Sequence, residues 1–307
     1  MKLVYYLILK PLSIVPFPVA YIIAKVLYFM IYKIARYRRK IVRENIAGCF
    51  PDYDQSTILA IEKAHYHYFC DILVESLLLF SISKKSILKH FKIVNSEILD
   101  PYFEQERDVI LVLGHYNNWE MAAVACDMQL KHKLTVVYSA LKNPFFNKKI
   151  KTTRSKYGTW LIDKNELSSI MNSNDRVPVL LSLVSDQSPT YSKRVYWTKF
   201  LNRDTAIFLG PEYNAVKYNA TVAFAEIAMI KKGYYEMSFS IITDQPRKEK
   251  PGFITEEHTR RLENEILEKP EYWLWTHKRW KREKPSDWTE EGQFRMLKES
   301  LKRIADS

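Results

Sequence analysis

The chain has 307 residues, 47% of them hydrophobic, and a mean hydropathy of -0.27. That is enough for one large α/β domain or two small ones, and it excludes a bundle of membrane spans. The formal net charge of +12, with a pI near 9.3, asks for an anionic partner. There is no zinc-finger spacing and no aromatic RNA-binding signature, so nucleic acid is set aside. Membrane surface, phosphorylated lipid or an acidic carrier protein remain. Cys49, Cys70 and Cys126 lie far apart and fit no metal or redox spacing, so they are expected to be reduced, buried thiols.

The first element is apolar. Leu12 to Ile34 is interrupted by Pro16, Pro18 and Lys25, and its length is borderline for a bilayer span of about 20 residues. Proline suits a first helical turn, so a helix is expected from Pro18 to about Ala35. No small-residue cleavage site marks it as a removed signal peptide. Lys33, Arg36, Arg38, Arg39, Lys40 and Arg43 follow directly. Positive charge beside an apolar segment marks the cytoplasmic side and attracts anionic lipid. Residues 1–43 are therefore expected to form a membrane anchor with a basic juxtamembrane segment, and residues 44–307 one α/β domain. A buried helix followed by a solvated basic turn is the competing reading. Whether the anchor spans the bilayer or lies flat stays open.

Residues 55–82 carry apolar side chains at helical spacing. His65 and His67, two positions apart, cannot share a face of that helix and are read as packing or surface residues. The pattern then changes. Val109 to Gly114 (VILVLG) reads as a buried strand, followed by a loop and helix. Leu134 to Ala140 is a second strand, residues 142–158 a basic loop and helix, and Val177 to Gln187 a third strand. TVAFAEIAMI and YYEMSFSII form two more strands, joined by a hairpin turn at Lys231-Lys232-Gly233. The C-terminal part, from about Thr255, is mainly helical and rich in charge and tryptophan. Strands separated by helices predict an α/β fold with a single mixed central sheet flanked by helices.

The sharpest feature is Gly114-His115-Tyr116-Asn117-Asn118-Trp119-Glu120. A strand delivers His115 to its carboxyl end, where open α/β sheets bind ligands. Glu120 follows in the first turn of the next helix. Moving an acyl group from a thioester to a hydroxyl requires removal of the hydroxyl proton, which neutral imidazole does well near pH 7. A carboxylate on the other ring nitrogen fixes the tautomer and stabilises the imidazolium. Five positions on a regular helix diverge by about 140°. The two side chains therefore meet only if His115 precedes the helix, which capping asparagines allow. An alternative stands beside this: Asn117 and Glu120 also fit a capping box, which would turn Glu120 to the backbone.

The His115–Glu120 motif in LVLGHYNNWE resembles the lysophospholipid acyltransferase superfamily, and within it the late acyltransferases of lipid A biosynthesis in Gram-negative bacteria. VVYSALKNPFFNKKIKTTRSKYG, SLVSDQSP, the block from Phe200 to Met237 and PEYWLWTHKRWK resemble further blocks of that family, in the same order. The resemblance covers nearly the whole chain. It implies a glycerolipid acyltransferase-like fold with an N-terminal membrane-anchoring helix, on the cytoplasmic face of the bacterial inner membrane. It implies O-acyl transfer from an acyl carrier protein or CoA thioester to an anionic (glyco)lipid acceptor, without a metal or other cofactor. His115 would be the general base and Glu120 its partner. Arg154 would bind an acidic or phosphorylated group, Asp186 and Gln187 would face the same pocket, and Arg203, Thr205 and Gly210 would lie where the acceptor is held. Surface charge is the alternative for Arg154 and Arg203, turn capping for Asp186, and packing for His277 and Arg279. Ser139 departs from the pattern, standing where such relatives often carry arginine, so one anion contact lacks its residue. A lysophospholipid or amino-acid lipid acceptor is the nearest alternative. A non-catalytic membrane lipid-binding protein is the alternative from another class.

Overall fold

A computed structural model describes residues 2–173, 175–189 and 195–306. The strands are β1 (Phe91–Ile93), β2 (Val109–Leu113), β3 (Lys133–Val137), β4 (Trp160–Ile162), β5 (Val179–Val184), β6 (Tyr196–Phe200), β7 (Arg203–Ile207), β8 (Thr221–Lys231) and β9 (Tyr234–Thr243). The main helices are α1 (Phe17–Tyr28, extended by a π-wound turn to Ile34), α2 (Arg39–Cys49), α3 (Gln55–Leu78), α4 (Trp119–Ala125), α5 (Pro144–Arg154), α6 (Gly210–Tyr218), α7 (Phe253–Glu268) and α8 (Glu290–Ala305). Seven strands form one curled mixed sheet in the order β1-β9-β8-β2-β5-β3-β4. From β8 to β4 the pairs are parallel, and β9 turns antiparallel to β8. The α/β fold with a mixed central sheet is as the sequence predicts.

β2 lies at the centre, and all five of its residues are buried. A parallel strand covered on both faces needs a continuous apolar run, which VILVL supplies. Its residues alternate between layers. Val109, Leu111 and Leu113 pack with Ile72 of α3 and Met121 of α4. Ile110 and Val112 pack with Ala215 of α6 and Ile254 of α7. Each such aliphatic side chain, fully buried, contributes about 1.5–3 kcal/mol.

The helix expected from Pro18 is observed from Phe17, and it is apolar and long enough to cross a membrane. It is also seated on the body: Ala20 and Ala24 pack against Cys70, Val74 and Leu78 of α3. Its outer side leaves Val19, Ile22, Val26, Phe29 and Met30 exposed. The basic run after it is partly structural. Arg39 and Arg43 both bind the buried carboxylate of Glu62, and Arg38 donates to the Thr276 carbonyl. The three cysteines are free and buried. His65 is buried, and His67 is exposed and stacks on Tyr28.

Two expected strands are shorter than read. β3 stops at Val137 rather than Ala140, and β5 runs from Val179 to Val184 rather than from Val177 to Gln187. Their trailing residues leave the sheet as loops. β6 and β7 form a separate antiparallel hairpin with no counterpart in the sequence reading. Its turn, Leu201-Asn202, has positive φ at both residues, 51° and 64°.

Candidate active site

β2 and β5 are adjacent and parallel, with Leu113 opposite Val184. Continued by two residues, that register sets His115 beside Asp186. Gly114 allows the chain to leave the sheet there, because a Cβ at this position would lie 2.5 Å from Cδ1 of Leu262 on α7. Asn117 adopts the left-handed conformation, φ 53°, which asparagine tolerates better than most residues. Asn118 caps α4, its side-chain oxygen accepting from the Met121 amide at 2.8 Å.

His115 Nδ1 lies 2.7 Å from Asp186 Oδ1. Asp186 Oδ2 accepts from the His115 backbone N–H at 3.0 Å and from Trp273 Nε1 at 2.8 Å. An ionised carboxylate can only accept, so Nδ1 carries a proton, and in the neutral imidazole Nε2 presents a lone pair. Gln187 Nε2 sits 3.2 Å from that nitrogen. Burial alone would depress the imidazole, but the charge and hydrogen bond of Asp186 outweigh it and raise the His115 pKa. Burial likewise pushes Asp186 up, but the charge and hydrogen bond of His115 hold it down at about 2.

The expected pairing of His115 with Glu120 is therefore corrected: Asp186 holds Nδ1. Glu120 instead makes two bonds to Arg154 at the end of α5, 3.1 Å to Nε and 2.6 Å to Nη2. The helix turns Glu120 toward α5 once His115 is spent on the strand end. The capping-box alternative is not adopted either, since Asn118 is the cap.

His115, Glu120, Arg154 and Gln187 line one cavity of about 430 Å³, within the usual range for a ligand site. Ser139 is also in its wall. The rest of the lining is mostly apolar, with Leu111, Ala122, Cys126, Leu134, Val136 and Met237 beside Ser182. Alanines at 122 and 123 keep α4 slim on that side and leave room above β2 and β3. Burial pushes the Cys126 thiol up to about 12, so it adds polarisable surface rather than a nucleophile. Asp186 stands behind His115, outside the cavity lining.

Arg203, Thr205 and Gly210 are not brought to this cavity. Arg203 stacks on Trp280, 4.3 Å from the ring centroid, and its guanidinium presses on Gly48 of α2. Thr205 accepts from Trp280 Nε1 at 2.7 Å. Gly210 opens α6, and its carbonyl accepts from Asn214. Arg279 is buried, donates to the Ala206 carbonyl, and shares with Asp186 and His258 the wall of a gap of about 10 Å³. Trp273 was missed by the sequence reading. It lies 87 positions beyond Asp186, and no spacing signals the contact. The loop carrying it bridges to Tyr116, and the Tyr272 carbonyl accepts from the Asn117 amide at 3.2 Å.

The family described as bacterial lipid A biosynthesis acyltransferase matches residues 1–282. A match over that much of the chain defines its class: it belongs to this family, whose members are membrane-associated acyltransferases acting on lipids. No individual curated protein matches it.

Proposed function

We propose that this acyltransferase moves a fatty acyl chain from an acyl carrier protein or CoA thioester to a hydroxyl of a lipid A precursor, at the cytoplasmic face of the inner membrane. The observation that carries the reading is His115, held 2.7 Å from Asp186, in the wall of a cavity that also carries Arg154 and is otherwise lined mostly by apolar side chains. The acyl chain fills the apolar end and the thioester carbonyl lies near His115 Nε2. The acceptor hydroxyl takes the place of the Gln187 amide on that nitrogen. Nε2 removes its proton as the oxygen attacks the carbonyl carbon. Asp186 stabilises the imidazolium that forms. The carbon–sulfur bond then breaks, and the leaving thiolate takes the proton back from Nε2. Arg154, aimed into the mouth by Glu120, meets an acidic or phosphorylated group of the substrates. Ser139 leaves the neighbouring wall without a second cation, which favours an acceptor with one anionic group at this end.

The test incubates the purified protein with acyl carrier protein and CoA thioesters, and with lipid A precursor, lysophospholipid and amino-acid lipid acceptors, with His115→Ala alongside. Mass spectrometry of a lipid A precursor gaining one acyl chain with wild type alone supports the reading. Gain on another acceptor reassigns the substrate. Equal turnover by His115→Ala overturns the mechanism.

A further inference from the structure

Glu75 of α3 is a buried carboxyl whose hydrogen-bond partners are all uncharged. Its side chain is 1% exposed, and burial pushes its pKa up to about 7. Three groups donate to it. Tyr235 of β9 donates at 2.8 Å and Asn118 Nδ2 at 2.5 Å, both to Oε2, while the Tyr21 hydroxyl of α1 donates to Oε1 at 2.7 Å. A carboxyl sunk without a cation is costly, and three donors offset that cost only while all of them stay in place.

Two of those donors belong to distant parts of the chain with different tasks. Asn118 is the cap of α4, the helix whose first turn carries Glu120, and it stands three residues after His115. Its oxygen holds the Met121 amide while its amide nitrogen holds Glu75. Tyr21 sits on the inner side of the apolar helix α1. The aromatic ring lies under Lys232 Nζ, 4.4 Å from the centroid, and Lys232 in turn pairs with Asp71 of α3 at 2.7 Å. Gly233, φ 76°, leaves room for the tyrosine hydroxyl where any side chain would collide with it. The phenol is thus clamped on three sides with its hydroxyl aimed at Glu75.

We propose that Tyr21 and Glu75 are positioning residues for acyl transfer, linking the apolar helix α1 through Asn118 to the catalytic loop. When α1 is seated, Glu75 is held, Asn118 is held by it, and the first turn of α4 keeps Glu120 and its Arg154 partner at the cavity mouth. When Tyr21 lets go, Glu75 loses its Oε1 donor and Asn118 loses a fixed acceptor. This inference rests on acyl transfer at His115 for its kinetic readout, so a second readout is independent of turnover.

The experiment compares wild type, Tyr21→Phe, Asn118→Ser and the double variant. Serine keeps a capping oxygen for α4 but removes the donor to Glu75. Hydrogen exchange is followed by mass spectrometry on peptides covering residues 115–125 and 109–113. Tyr21→Phe is expected to speed exchange about tenfold in 115–125 while 109–113 stays protected. Its kcat is expected to fall about tenfold with KM for the thioester within twofold, since small misplacements of a reacting group cost up to about a hundredfold. The double variant is expected to lose no more than the worse single one, because both break the same link. Unchanged exchange in 115–125 in Tyr21→Phe overturns the proposal even if no substrate is turned over. So does exchange that rises equally in both segments, or multiplicative losses in the double variant.

Discussion

The β2–β5 edge and the β6–β7 hairpin hold their polar side chains in opposite ways. At the β2–β5 edge two parallel neighbours end together, and their next residues meet over a cavity. His115 lines that space with the Gln187 amide 3.2 Å from its Nε2, and Arg154 lines it paired with Glu120. At the hairpin, Arg203 and Thr205 turn into the contact with Trp280, where the ring and indole N–H occupy them. Both regions hold charge and aromatic rings. The difference is that His115 and Arg154 line a cavity, while Arg203 and Thr205 meet Trp280. A polar residue in a recognisable block thus lines the cavity only where the fold carries it there.

The largest effect should come from His115→Ala. Loss of the base should lower kcat/KM about 10²–10⁴-fold with little change in melting temperature, read by product formation and a thermal melt side by side. Asp186→Asn should follow closely. The sign of its pH effect is fixed by the environment. Asp186 raises the His115 pKa, and the base works only when neutral, so wild-type kcat/KM should fall as pH drops through a value above 6.5. Without the aspartate charge the depression by burial takes over, and that acid limb should move to lower pH while the plateau falls. A limb that stays put in Asp186→Asn would return the orienting role to another group.

Glu120→Gln separates the two carboxylates of the edge. Glutamine cannot hold Arg154 as a charged pair, so the cation should loosen and the KM for an anionic acceptor rise about tenfold, with the acid limb nearly unchanged. A loss as deep as that of His115→Ala, with the acid limb moved as expected for Asp186→Asn, would instead restore the His115–Glu120 pairing expected from the sequence.

That pairing shows what was legible and what was not. VILVL followed by glycine announces a buried strand, and the place of His115 at its end is legible too, because both signals are local. The partner of His115 is not local. It depends on which strand lies beside β2, and nothing in the spacing of 71 residues between His115 and Asp186 encodes that β5 takes this place. Asp186 and Gln187 were read as the last residues of a strand, but they lie in the loop just past its end at Val184, and the task of Asp186 follows from register. The β6–β7 hairpin escaped for a different reason. Its turn puts a leucine and an asparagine at positive φ, where Asn-Gly or Asp-Gly is the usual signal, so the usual composition cue is absent. Part of the basic run after α1 also has a structural task that counting charge does not show. Arg39 and Arg43 are drawn to the buried Glu62, a contact across 19 to 23 residues of sequence that hydropathy does not register.

The smallest effect on activity should come from the hairpin. Arg203→Ala removes a guanidinium stacked on Trp280 and opens a gap against Gly48. A cation over an aromatic face contributes about 0.5–2 kcal/mol, so the variant should lose about 1 kcal/mol of stability in urea titration. Its kcat and its KM for donor and acceptor should stay within about twofold of wild type, because no atom of Arg203 lines the cavity. A KM for the acceptor that rises tenfold or more at unchanged stability would mean that the lipid extends beyond the cavity to reach the hairpin, and that Arg203 leaves its stack on Trp280 to meet it.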